Sequence, residues 1–408
     1  MSKIYNTQSL FASNISNFLL NVDPSIKKSQ LKLIPFVTLG MILSESVVAS
    51  DISKELKDDF SSVQLDSVIR RIKRLFTNKF FDPYSFYDKV IRYVISTYKK
   101  KHIDKRIHIV FDHMFSHDNY TVFMISMRIG KQGIPLWFRC FKGNACSDAF
   151  QISLIKDGIS YVSSLFDDSF ELIFLADRWF NSNDLYQHIN SLGHTYVIRL
   201  KVFYKVLVSL NGEKHKVWRT TSDLTHQKDK AKYYYDIELT EDRYKVNLAL
   251  SKSRGIADPW IIVTNGDPTR AIKDYGYRFG GIESLFKNQK SNGLYMENTV
   301  KASLKYFESM YTFTCFTTLF LTLFGADYSK NTKCYKNQKL ITHKNIKGKV
   351  VRVMSLFNIC LTLFKRAFNS TVYIRIPFSF TLYDVWEKIK SYKIQNSTIY
   401  FYSAIFYI

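Results

Sequence analysis

The sequence predicts an α/β chain in which a helical amino-terminal region leads into a mixed sheet. Three observations carry this. Up to about residue 105 apolar residues recur at helical spacing among polar and basic ones. From Arg106 the pattern changes to short β-rich runs separated by turns. Two of those runs, IHIVFD and ELIFLAD, end in an acid, Asp112 and Asp177.

In the first region, residues 34–43 form an apolar segment, and 49–60 and 65–76 read as helices. In LDSVIRRIKRLF, Leu65, Val68, Ile69, Ile72, Leu75 and Phe76 share one face, leaving Arg70, Arg71, Lys73 and Arg74 mostly elsewhere. Such a helix either docks its basic face on DNA phosphates or is a solvated member of a small bundle. A further helix is expected over 84–98.

Strands are expected over 107–112, 121–128 and 134–141, with Gly130 and Gly133 bracketing a tight turn. A helix follows over 148–165, then a buried strand over 172–177, a helix over 184–191 and a strand over 196–200. Three strands, a helix, then a strand ending in an acid is the order of an RNase H-like catalytic core. Alternating runs between 201 and 258 suggest an inserted β-rich subdomain, and PWIIVT returns to strand character. The expected division is therefore 1–105 helical and DNA-binding, 106–200 core, 201–258 insertion, 259–297 core with a helix bearing Glu283, and 298–408 completing the core and aiding dimerisation. Within the last part, 310–326 reads as a buried helix or pair of strands. It is short for a membrane span and holds five threonines. Residues 355–368 read as an amphipathic helix.

With 408 residues, 46% of them apolar, the chain can bury ordinary cores. A formal charge of +23 points to a polyanionic partner, because basic surfaces gain by releasing counterions from phosphates. Cys140, Cys146, Cys315, Cys334 and Cys360 form no CxxC pair, which argues against a structural zinc site or a disulfide framework and fits a reducing interior. No secretory signal is legible at the start of the sequence.

The chemistry lies in three isolated carboxylates. Asp112 and Asp177 sit on apolar strands, and Glu283 lies in YGYRFGGIESLFKNQK at the start of a helical stretch. Hard carboxylate oxygens suit Mg²⁺, with Mn²⁺ a substitute, and a metal pair against substrate phosphates supports in-line phosphodiester cleavage. Each acid also has an ordinary reading: a strand-end Asp caps a helix or forms a turn, and Glu283 pairs with Lys287 at i,i+4.

These residues resemble the IS4-type DDE transposases, the broad group that includes the Tn5 transposase. ADRWF, with Asp177, looks like that group's second-acid motif. Tyr275, Arg278, Glu283 and Lys290 look like its tyrosine–arginine–glutamate–lysine signature, with Ile282 and Phe286 as apolar companions. The resemblance spans about residues 106–293 and departs from the group at two places. Four residues rather than three separate Arg278 from Glu283, and His113 follows the first acid.

The resemblance implies a prokaryotic, cytoplasmic enzyme that binds the terminal inverted repeats of an insertion sequence as a homodimer. It would nick them, form a hairpin intermediate and transfer the strands into target DNA. It also implies that Tyr275, Arg278 and Lys290 contact DNA phosphates, and that Trp260 stacks a flipped base. The indole reads equally as a core residue of its apolar strand. Two other functions stay open: an RNase H-like structure-selective nuclease, and a non-catalytic DNA-binding protein derived from a transposase.

Overall fold

Helical periodicity in the first region is realised as α1 (Thr7–Val22), α2 (Lys28–Ser44), α3 (Ala49–Glu55), α4 (Leu65–Phe76) and α5 (Pro83–Ser96). The structure is a computed structural model, and it describes residues 7–56, 63–96, 106–116, 119–144, 146–210, 213–224, 230–239, 242–252, 259–298, 302–328, 343–346, 349–352 and 355–369. On α4, Val68, Ile72, Leu75 and Phe76 are buried, while Arg70, Arg71, Lys73 and Arg74 face solvent. The apolar seam read from the sequence is thus the face that packs.

Ten strands follow: β1 (Arg106–Ser116), β2 (Tyr120–Ile129), β3 (Gln132–Lys142), β4 (Glu171–Ala176), β5 (Thr195–Arg199), β6 (Lys205–Val208), β7 (Val217–Thr220), β8 (Lys232–Leu239), β9 (Tyr244–Ser251) and β10 (Trp260–Thr264). They form one sheet in the order β3-β2-β1-β4-β5-β10-β9-β8-β6-β7. The first three are antiparallel, whereas β1–β4 and β4–β5 are parallel. Gly130 makes the β2–β3 turn at φ +59°, a conformation glycine adopts without strain. Parallel pairing needs crossovers, supplied by α6 (Ile152–Ser164) before β4 and α7 (Asn183–Ser191) before β5.

Two expectations change. Strand β1 does not end at Asp112 but runs four residues further, with Asp112 paired to Met124. The reason is aromatic: the His113 ring stacks on Phe150 at 4.0 Å and on Phe180 at 5.1 Å, so the extended backbone continues to earn contacts where a loop was expected. The insertion is β-rich, but β9 pairs with β10 and β8 with β9, so its strands prolong the main sheet.

After the sheet come α8 (Pro268–Gly276), α9 (Ile282–Lys290), α10 (Leu304–Tyr328), the hairpin β11 (His343–Ile346) and β12 (Lys349–Arg352), and α11 (Leu356–Asn369). Residues 310–326 lie within α10. By length and composition this helix is apolar enough to cross a membrane, yet its apolar window is 94% buried within the fold. Its threonines turn inward because Thr312, Thr314 and Thr318 donate to the carbonyls four residues back, at 2.7–3.0 Å. Cys140, Cys146, Cys315 and Cys360 are free thiols, and Cys334 lies outside the described residues.

Candidate active site

Strand register brings the two aspartates together. Val110 of β1 is level with Leu175 of β4 in the parallel pair, so two residues further on Asp112 stands beside Asp177, just past the end of β4. Residues level on adjacent strands share a face, and alternate residues along β1 do too. The Asp112 face therefore also carries Val110 and His108. Each carboxylate is fixed by a backbone donor, His113 N to Asp112 at 2.9 Å and Arg178 N to Asp177 at 2.8 Å.

Glu283 reaches this face in the first turn of α9. After α8, the Arg278 N–H donates to the Tyr275 carbonyl and the Gly281 N–H to the Arg278 carbonyl, both at 3.0 Å. Gly281 then precedes the first residue of α9. This turn spans the four residues between Arg278 and Glu283 and brings the two side chains into contact.

All three acids converge on one guanidinium. Arg278 Nη2 lies 2.5 Å from Asp112 Oδ2 and 3.9 Å from Asp177 Oδ2, and Nη1 lies 3.1 Å from Glu283 Oε1. The Arg278 side chain is only 8% exposed. Burial raises the carboxyl pKa of Asp112 and of Glu283 against the opposing pull of Arg278, and the neighbouring carboxylates raise both further. Although burial works against its charge, Arg278 is held above the ordinary arginine value by Asp112, Tyr275, Asp177 and Glu283.

Among the described residues no group of three His, Cys, Asp or Glu side chains is disposed to hold a metal ion. Asp112, Asp177 and Glu283 gather around Arg278, whose guanidinium supplies the positive charge at their centre. The three carboxylates nonetheless remain a hard-oxygen donor set of the kind magnesium takes. Nor is the expected phosphate clamp open. Tyr275 is buried and donates to Asp177 at 3.3 Å, Arg278 is engaged by the acids, and Lys290 pairs with Glu297 at 3.3 Å.

Trp260 is half-buried on β10, its ring meeting Tyr275 edge-on at 5.1 Å and stacking on Phe279 at 5.5 Å and 15°. Phe279 is the outer ring, 42% exposed. Arg70, Arg71, Lys73 and Arg74 are not part of this cluster, since α4 packs chiefly against α3 and α10.

Sequence reasoning missed the residues that hold α9 in place. A Cβ on Gly133 would lie 2.9 Å from the Gly281 carbonyl oxygen, so the start of α9 rests directly on β3 backbone. Asn288 donates to Gln132 at 2.9 Å, and Tyr311 of α10 donates to Gln289 at 2.9 Å, all four side chains being buried. On α8, Asp274 is buried and receives His108 at 3.0 Å and Arg106 at 3.4 Å, which ties the helix to β1. Only the pairing of polar amides inside an otherwise helical run hinted at this.

No family model and no curated protein matches the chain. Among solved structures it is similar to piggyBac transposase in a synaptic complex with hairpin DNA, seen by cryo-electron microscopy. That similarity has 11% identity and a TM-score of 0.44, over 95% of this chain and 80% of that one.

Proposed function

We propose that the chain is a DDE-type DNA transposase, with Asp112, Asp177 and Glu283 as its catalytic acids. The observation that carries this reading is the convergence of those three carboxylates, from two parallel strands and a helix start, on Arg278. The order β3-β2-β1-β4-β5, with β1, β4 and β5 parallel, supports an RNase H-like core. The charge of +23 and the exposed basic face of α4 support a DNA partner, with Arg70, Arg71, Lys73 and Arg74 touching terminal DNA.

In this reading Asp112, Asp177 and Glu283 would hold magnesium, which would supply Lewis-acid activation of the attacking oxygen and charge compensation on the leaving one. The protein's own groups set the geometry. Backbone N–H groups fix both aspartates, Tyr275 holds Asp177, and α9 is seated by Gly133, Asn288 and Gln289. Arg278 holds the three carboxylates together, and its charge offsets theirs at the centre of the site. Water opens the phosphodiester at each inverted repeat and leaves a 3′-hydroxyl. That hydroxyl attacks the phosphodiester of the opposite strand, forming a hairpin and expelling the 3′-hydroxyl of the flanking DNA; water then reopens the hairpin before strand transfer by a homodimer.

The test is cleavage of DNA carrying the element's own ends, with Mg²⁺ or Mn²⁺. Asp112→Asn, Asp177→Asn and Glu283→Gln are each expected to abolish cleavage while retaining DNA binding in a gel shift. Full cleavage by any one of them removes that residue from the set. Cleavage without joining to target DNA would make the chain a structure-selective nuclease.

A further inference from the structure

The turn that carries Asp177 also throws a tryptophan into water. Asp177 caps a short 3-10 turn, Arg178–Phe180, in which successive side chains diverge: Phe180 is buried against Phe111 and His113, while Trp179 is 74% exposed. The exposed ring has a cation for company, the Lys201 ammonium 5.5 Å from its centroid. Lys201 follows β5, whose parallel pairing with β4 brings the two strand ends side by side.

Phe203, two residues beyond Lys201, is 79% exposed. This second loop is built rather than slack. The buried Thr221 hydroxyl donates to the Val202 carbonyl and accepts from the Tyr204 N–H at 3.1 Å, and its own N–H donates to the Tyr204 carbonyl at 2.8 Å. The fold therefore spends buried hydrogen bonds on holding an aromatic and basic edge in solvent beside Asp177.

Aromatic faces next to cations suit one ligand chemistry above others. An unpaired base offers a π-face to the indole, and its phosphate offers a charge to the ammonium. A paired base offers neither face. The strongly positive charge of the chain favours a polyanion over an apolar partner here.

We propose that Trp179 and Lys201 form a binding site for an unpaired nucleotide of single-stranded DNA, the base stacking on Trp179 and the adjoining phosphate meeting Lys201. Phe203 extends the same platform by a second ring. The inference rests on the DNA-processing reading above and assigns it a strand-separated substrate at the Asp177 side of the site.

The experiment uses the full chain in EDTA, so that no cleavage intervenes. It measures fluorescence anisotropy with a labelled single-stranded oligodeoxynucleotide and with its duplex. A second probe carries 2-aminopurine, whose emission falls on stacking. Trp179→Ala is expected to weaken single-strand binding about five- to 150-fold, the range of one base–aromatic contact, and to abolish the quenching. Duplex binding should change less than about twofold by the same reasoning, since paired bases do not reach the ring. Trp179→Phe should recover most of the loss, and Lys201→Met should weaken single-strand binding and lower its salt dependence while leaving the fold intact.

Equal loss of single-strand and duplex binding by Trp179→Ala would overturn the proposal, as would unchanged binding. A change from dimer to monomer in light scattering, with single-strand affinity intact, would make the patch a contact between copies and overturn it too. Failure of the wild-type chain to bind either DNA would instead sink the underlying DNA reading. Circular dichroism on the variants keeps these outcomes separate from misfolding.

Discussion

Arg278 donates from Nη2 to Oδ2 of Asp112 at 2.5 Å, the shortest of its links to the three acids. The guanidinium is almost fully enclosed, whereas the aspartates are partly exposed and Glu283 is nearly half exposed. Removing the guanidinium leaves three carboxylates facing one another without compensation, at a cost below the ~3–5 kcal/mol of a fully buried pair because solvent screens the exposed acids.

Arg278→Met should therefore lower the thermal midpoint in EDTA. Added Mg²⁺ should then restore more of the midpoint in the variant than in the wild type, because a second cation can take the vacated place among the carboxylates. Differential scanning fluorimetry with and without the metal checks this. Equal metal responses in the two proteins would show that the added cation does not take that place.

Two glycines three residues apart should behave differently. Gly130→Ala meets open space but places alanine at φ +59°, which costs ~1–2 kcal/mol of stability and leaves α9 where it is. Gly133→Ala forces a Cβ to 2.9 Å from the Gly281 carbonyl oxygen and 3.1 Å from Leu285. Overpacking of this kind costs ~1–3 kcal/mol, and here the relief must come from α9. The expected result is loss of cleavage by Gly133→Ala at temperatures where it remains folded, with cleavage spared in Gly130→Ala. Comparable activity in both would mean that Glu283 does not depend on this contact.

That contrast marks what the sequence could and could not reveal. Local pattern placed the strands around Asp112 and Asp177, the helix at Glu283 and the apolar seam of α4, because each depends on neighbours a few residues away. The side-by-side placement of the two aspartates depends on register between β1 and β4, which periodicity does not specify. Arg278 reads in sequence as a phosphate ligand, and its engagement by three acids emerges only when those elements are assembled. Gly133 looks like part of a turn, and its role comes from a backbone more than 140 residues further along, as the numbering of Gly281 shows.

His113 sets a pH dependence of stability. Burial pushes its imidazole down to about 4, while its ring stacks on Phe150 and Phe180 and hydrogen-bonds the Ala149 carbonyl at 2.7 Å. The folded pKa lies below the unfolded value of ~6.5, so the unfolded chain binds the proton more tightly. This contribution is complete above about pH 6.5 and is lost as pH falls towards 4, by ~3 kcal/mol at most. His113→Phe keeps a ring in the stack without a proton to bind. Its thermal midpoint should decline less steeply than that of the wild type between pH 6.5 and 4, and parallel curves would place the acid sensitivity elsewhere.

The last prediction concerns the stacked rings of Trp260 and Phe279. Phe279 lies over Trp260 at 5.5 Å and 15°, so a flipped base entering here would meet Phe279 first, with Trp260 as the ring behind it. If hairpin formation requires that stack, Trp260→Ala and Phe279→Ala should both spare the first nick and reduce the hairpin product. The loss should correspond to at least the ~1–3 kcal/mol of one base–aromatic contact. Phe279→Trp should retain the hairpin, since it offers a larger face on the same support. Denaturing gels that separate nicked strand from hairpin, with circular dichroism as a check on folding, decide among the outcomes. Loss in Trp260→Ala with gain in Phe279→Ala would make Phe279 a cover over the true platform. Equal loss of nick and hairpin in both would assign the pair to packing of β10 against the end of α8, and breakage of both strands without any hairpin would remove the flipped base from the mechanism.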